Sequence, residues 1–299
     1  MQPNRVKTSF FILSDTHAEK GLQIPTVPVD VAIHCGDITD GSKIGEFHTS
    51  LDLLRRINAP LKLVIAGNHD FTLDDSAFRT KLLASEKENN IVFLDDGIHT
   101  STLQNGAKLT VYASPFTPSP DADSSWGFQY QRGEQHEFNI TNDVGVVITH
   151  GPPNGVLDRT ASGQRLGCEQ LFAAVAKARP KIHCFGHVHN GWGAKLVAWR
   201  DTPSETPTHF SDIDNGKSVL LDSLATILPG KWDTEDMARE KTSRLQDMRL
   251  TGYLRTSHCL GDEHPIAPNK TLFVNAAVQA TERGTQFPWV VDIDLPAAT

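Results

Sequence analysis

Histidine and aspartate recur in this chain in five short clusters, four of which also carry glycine. They read Asp15-Thr16-His17, Gly36-Asp37, Gly67-Asn68-His69-Asp70, His150-Gly151 and Gly186-His187-Val188-His189. Imidazole and carboxylate are ligands expected for divalent transition ions such as Mn, Fe, Zn or Ni, whereas an all-oxygen set would suggest Mg or Ca. Two such ions ~3.5–4 Å apart can share a carboxylate and clamp both the attacking and the leaving oxygen of an in-line displacement. Glycine beside a ligand lets the backbone turn sharply and approach an ion or a phosphate closely. Thirteen histidines in one chain also form pairs by chance, but His187 and His189 in a Gly-flanked loop would be costly to desolvate without a role.

Each cluster directly follows a short apolar run. These runs are Phe10 to Leu13, Val31 to Ile33, Leu61 to Ile65, Val144 to Ile148 and Ile182 to Phe185, with a further one at Leu109 to Tyr112. Helical spacing lies between them. Ser42 is placed to cap a helix carrying Ile44, Phe47, Leu51, Leu54 and Ile57, and a second helix spans Cys168 to Lys177 with Leu171, Phe172 and Val175 on one face. Alternating strands and helices predict an α/β sheet. In such a sheet the carboxyl ends of strands converge on one crevice, where residues far apart in sequence can meet. Two long loops, Ser114 to Gly133 and His150 to Gly167, flank that crevice in the chain. From Asp201 to Asn269 the pattern loosens. A partly mobile Pro/Thr/Ser-rich start is expected there, then a charged helix around Thr234 to Gln246, with strands returning at Thr271 to Val274 and Val290 to Ile293.

The 299 residues can bury a sizeable core, and a net charge of −8 argues against a nucleic-acid duplex as partner. Cys35, Cys168, Cys184 and Cys259 lack CxxC spacing, so reduced, buried thiols are expected rather than a zinc ribbon or a disulfide framework. The start MQPNRVKTSFFILSD has no stretch long enough for a signal peptide. No later run reaches the roughly 20 apolar residues of a membrane span. An intracellular, cytoplasmic protein with no membrane partner is the expectation; the oligomeric state is left open.

The order DxH, GD, GNHD, H, GHxH resembles the calcineurin-like metallophosphoesterase superfamily over residues 8 to 193 and a strand near 271 to 277. GD and a lone His-Gly are common; GNHD, GHVH and the order of all five are specific. GNHD, THGPP, the following Gly167-Cys168 and GHVHNGWG resemble its MPPED-like branch, from whose compact members residues 194–270 depart as an insertion or extension of one domain spanning 1–299. The resemblance implies a four-layer αββα sandwich of two mixed sheets flanked by helices, and two divalent transition-metal ions. It assigns Asp15, His17 and His189 to one ion and Asn68, His150 and His187 to the other, with Asp37 bridging. His69 resembles the family's catalytic imidazole, which serves the leaving oxygen, and Asp70 is read as orienting His69 or capping the next helix. The activity implied is a phosphodiesterase acting on a small phosphoester, a cyclic nucleotide or related diester, through hydroxide bridging the ions. The alternatives are a phosphomonoesterase or protein phosphatase, a dinuclear centre redeployed for non-phosphate chemistry in specialised metabolism, and a scaffold keeping metal for stability.

Other candidates carry two readings each. Arg132, Arg159 and Arg165 on the long loops can clamp a phosphate or be solvated. Trp126 and Phe128 can stack on a nucleobase or pin their loop. His34 and His183 read as strand side chains bonded locally, and His258 as local or at the pocket rim.

Overall fold

The structure, a computed structural model, describes residues 5–83, 89–119, 125–131, 134, 136–279 and 286–298. Two mixed sheets stand face to face. The first runs, in spatial order, β13 (Leu254–Ser257), β15 (Trp289–Pro296), β1 (Arg5–Leu13), β2 (Val31–His34), β3 (Leu61–Val64) and β4 (Ile91–Phe93). The second runs β12 (Val219–Ser223), β11 (Gly193–Ala198), β14 (Lys270–Asn275), β10 (Ile182–Phe185), β9 (Val146–Thr149), β6 (Lys108–Ser114) and β5 (Gly97–Thr102). β7 (Thr117–Ser119) and β8 (Gln129–Gln131) form a small ribbon within the first long loop. β1 to β4 are mutually parallel, as are β6, β9, β10 and β14. Their carboxyl ends therefore point the same way within each sheet.

The central strands are buried on both faces, and the two-residue period of a strand sorts their side chains into layers. Phe10, Ile12, Val31, Ile33 and Leu63 face inward and meet Val111, Val146, Ile148, Ile182, Cys184 and Val274 from the other sheet. The alternate residues Phe11, Leu13, Ala32 and Val64 face outward, where α1 (Ile44–Arg56) covers them with Phe47, Leu51 and Leu54. On the opposite side Tyr112, Val147, Phe185 and Phe273 lie under Leu171, Phe172 and Val175 of α3 (Glu169–Ala178). The result is the expected four-layer αββα sandwich.

Residues 194–270 extend both sheets. They supply β11, β12 and β13, while α4 (Leu224–Ile227) and α5 (Glu235–Thr251) close the inner core with Leu224, Ile227 and Met248. The Pro/Thr/Ser-rich stretch expected to be mobile is wound around Asp212, whose carboxylate accepts hydrogen bonds from Ser204, Thr208 and Ser211. Ser42 does not cap α1: Lys43 holds that position, and the Ser42 hydroxyl instead bonds the backbone and hydroxyl of Thr72. Another short helix, α2 (Ser76–Leu83), packs Phe78 and Leu82 against the first sheet's outer layer. All four cysteines are free and buried. Among the described residues no helix is long and apolar enough to cross a membrane.

Candidate metal centre

The five clusters sit in the turns that leave β1, β2, β3, β9 and β10. Backbone hydrogen bonds stitch these turns together: Asp15 N–H donates to Gly36 O (3.0 Å), His17 N–H to Asp37 O (3.1 Å) and Gly186 N–H to His150 O (3.0 Å). The stitching also crosses between the sheets, where Ser14 bridges to Ala277. Four of the candidate ligands are held in the left-handed region, Asp15 at φ 55°, His17 at 44°, Asp37 at 54° and His187 at 63°. Such conformations are disfavoured for residues with a Cβ and persist where the surroundings over-determine them, typically at functional sites. The neighbouring glycines are required by contact. A Cβ at Gly186 would strike the Asp15 carboxylate and Ser14, and one at Gly67 would strike Asp37 and His150.

The side chains converge in two groups. The ligand atoms of Asp15, His17 and His189 lie within 4.8 Å of one another, and so do those of Asp37, His150 and His187. Asp37 stands between them, its Oδ2 3.9 Å from His17 Nε2 and 3.3 Å from His150 Nε2. Asn68 joins the second group through Oδ1, 3.0 Å from His150 Nε2. The carboxylates also fix the loops: Asp15 accepts the His187 N–H at 3.0 Å, and Asp37 accepts the His69 N–H at 2.8 Å.

These residues fit a pair of divalent cations. Both ring nitrogens of His17 are buried and make no hydrogen bond, an arrangement that a ligand would satisfy. Burial disfavours charge on Asp15, but the hydrogen bond and charge of His189 hold its carboxyl well below the usual range. Burial likewise opposes ionised Asp37, and His150 outweighs it. Burial pulls His17 down, and burial with His150 pulls His187 down to about 4, so both imidazoles keep free lone pairs. Ionised carboxylates and neutral imidazoles are the forms that bind metal. Despite its burial, His150 is pushed up to about 9 by Asp37, which marks a point where positive charge is favoured. Its Nδ1 is held by Cys35 O at 2.9 Å, leaving Nε2 to face Asp37 and Asn68.

His69 lies at the rim of this cage, its ligand atom within 4.8 Å of those of His17 and Asp37. Its Nδ1 donates to Asp40 O at 2.6 Å, and the Asp40 carboxylate is 3.9 Å away. Asp40 was not singled out in the sequence, although it stands three residues after Asp37. Asp70 neither orients His69 nor caps the following turn through its side chain, because its carboxylate is fully buried and bonded to the Ile38, Thr39 and Gly67 backbones. Trp126 packs on His69, with ring centroids 4.1 Å apart, and Phe128 is buried under the first sheet's outer layer, so Phe128 pins the loop. Arg165 is paired with buried Asp158 rather than presented to a phosphate; Arg159 is exposed, and Arg132 lies outside the described residues. His34 and His183 bond Thr16 and Thr149 at 3.0 and 2.8 Å, as strand side chains should. His258 bonds Thr256 and His264 O beside β13, away from the rim.

The calcineurin-like phosphoesterase profile matches residues 9–191, the span that carries all five clusters. The chain belongs to the calcineurin-like phosphoesterase family. Within it, the relatives place the chain in the MPPED-like branch. Human metallophosphoesterase domain-containing protein 1 is 33% identical over 206 residues, covering 62% of this chain and 62% of that protein. A UPF0046 protein of Caenorhabditis elegans is 31% identical over 222 residues, covering 64% of this chain and 54% of its own length. A probable rhamnogalacturonate lyase C of Emericella nidulans is 32% identical over 193 residues, 62% of this chain but 18% of that protein. The chain thus spans less than two-thirds of each of these relatives. The span matched by the family also holds every residue of the three Asp/His groups that could hold a metal ion.

Proposed function

We propose that the protein is a phosphodiesterase acting on a small diester, a cyclic nucleotide or a related compound. The observation that carries this reading is the pair of donor groups joined through Asp37, with His69 at their open side. Asp15, His17 and His189 would hold one divalent ion, Asn68, His150 and His187 the other, and Asp37 both. Bound there, the ions supply Lewis acidity toward phosphoryl oxygens and lower the pKa of water. Asp15 and Asp37 provide the compensating negative charge, and buried His17 and His187 provide neutral donors. His69 keeps its Nδ1–H on Asp40 O, so it would serve the leaving oxygen as the imidazolium, giving up the second proton from Nε2 and returning to the neutral ring. The strongest electrostatic partners of Asp15 and Asp37 are histidines rather than arginine or lysine, and Arg165 is engaged with Asp158. Among the described residues no guanidinium is paired with Asp15 or Asp37, and such a cage suits a singly charged diester better than a doubly charged monoester.

The test is reconstitution of purified protein with Mn, Fe, Ni or Zn, metal analysis, and turnover of matched aryl mono- and diesters and cyclic nucleotides. Faster diester turnover is expected. Two ions per chain with no ester cleaved would remove the reading, and faster monoester turnover would replace the diester assignment.

A further inference from the structure

Trp126 covers one face of the His69 imidazole, with ring planes 35° apart and centroids 4.1 Å apart. His17 meets the same imidazole edge-on at 4.7 Å, and Asp40 O holds Nδ1. His69 is thereby enclosed on three sides, and Trp126 is the only one of the three that is neither a candidate ligand nor on the loop that follows β2. The backbone delivers Trp126 to this place. Gly127 N–H donates to Asn68 O (3.0 Å), Thr117 N–H donates to Phe128 O (2.9 Å), and Phe128 anchors the turn in the apolar layer below. A Cβ on Gly127 would strike the backbone of Phe71, so the turn is pressed directly against the loop that carries Asn68 and His69. Trp126 itself is 43% exposed and belongs to none of the core clusters. Its ring meets His69 closely and the partly exposed Phe71 more distantly, with centroids 6.4 Å apart.

We propose that Trp126 is a positioning residue for His69. Its ring blocks rotation of the imidazole away from the cage and keeps Nε2 directed at the leaving oxygen. The inference rests on the phosphoesterase reading above, and it differs from both roles open to Trp126 in the sequence, a nucleobase platform and a loop pin. A positioning role predicts a loss that grows with the leaving group's need for a proton. A platform predicts a change in KM, and a pin predicts a change in stability.

The experiment uses metal-loaded wild type, Trp126→Ala, Trp126→Phe, His69→Ala and the Trp126→Ala/His69→Ala double variant. Each is assayed on two diesters that differ only in the leaving group, p-nitrophenol or an alkyl alcohol. For Trp126→Ala, kcat on the alkyl ester should fall on the order of 10- to 100-fold, and on the p-nitrophenyl ester less than about threefold, with KM steady. Trp126→Phe should restore most of the loss, and Trp126→Ala should add less than about twofold to His69→Ala. Without reference to turnover, the His69 ring C–H resonances should lie upfield through the indole ring current and relax downfield in Trp126→Ala but less so in Trp126→Phe. Equal losses on the two leaving groups, a rise in KM alone, additive losses in the double variant or no ring-current shift would overturn the proposal while leaving the phosphoesterase reading intact. A wild type that binds two ions and cleaves neither ester would overturn both.

Discussion

Replacing Asp70 with alanine should loosen the metal site from beneath rather than blunt its chemistry. The Asp70 carboxylate is fully buried and accepts the N–H groups of Ile38 (3.1 Å), Thr39 (2.8 Å) and Gly67 (2.9 Å) and the hydroxyl of Thr39 (2.6 Å). It ties the turn that carries Asp37 to the turn that carries Asn68. Alanine leaves three buried N–H groups without an acceptor, at about 1–3 kcal/mol each. Against this, the variant no longer buries a carboxyl whose ionisation is opposed: burial, and then the Asp37 charge, push its pKa up to about 6. The net loss should be roughly 3–5 kcal/mol, and at about 2–4 °C per kcal/mol in a chain of this size the melting temperature should fall by roughly 6–20 °C. Thermal melts followed by circular dichroism, with chelator added to both proteins, measure the structural part alone. Metal titration should then show weaker binding. If Asp70→Ala melted within about 2 °C of the parent and bound metal normally while kcat collapsed, Asp70 would be acting in the reaction and the reasoning from its four hydrogen bonds would be wrong.

Gly186→Ala should cost at least about 100-fold in activity, with reduced bound metal by elemental analysis, because its Cβ displaces the Asp15 carboxylate; full occupancy would refute the contact argument. Gly45→Ala, on α1 with open space around it, should stabilise the fold by up to about 1 kcal/mol in a denaturant titration. Saturation with metal at about 100 times its Kd should add roughly 2.7 kcal/mol, so chelation should lower the melting temperature by roughly 5–10 °C, and His17→Ala should shrink that difference. Burial pulls His183 from 6.5 down to about 3, so the unfolded chain takes up the proton first. The stability present above pH 6.5 is therefore lost as pH falls from 6.5 toward 3. His183→Gln should flatten this acid limb in a denaturant-midpoint series, and an unchanged limb would count against it.

The strands and the cage were legible because both are written locally. β2, β3 and β10 are short β-branched or aromatic runs, and their ligands follow at once, beside glycines that contact makes obligatory. Where a side chain finds its partner only once the loops are folded, against another loop or back on their own, the sequence is silent. Ser42 looks like a helix cap until Thr72 arrives from another turn, and Arg165 looks like a phosphate clamp until Asp158 is folded beneath it. Asp40 and Trp126 belong to the same class: neither has a local signal, and each meets His69 only once three loops are assembled. The edge strands β5 and β12 were invisible for a different reason. Half of β5 faces solvent, and its small polar residues carry no apolar run.

β15 lies inside the first sheet, pairing antiparallel with β1 from Arg5 with Pro296 to Ile12 with Trp289 and parallel with β13 on its other side. Contacts that span almost the whole chain are slow to form, because loop closure must precede them. At about 5–20 residues per second, ribosomal synthesis makes β1 to β3 at least ten seconds before β15 emerges. Through that interval the edge of β1 that β15 will occupy stays open, with Phe10 and Ile12 short of their neighbours Trp289 and Val291. The nascent chain therefore holds an unfinished, sticky edge throughout most of its synthesis, and its yield in cells should depend on what shields that edge as much as on the stability of the finished fold.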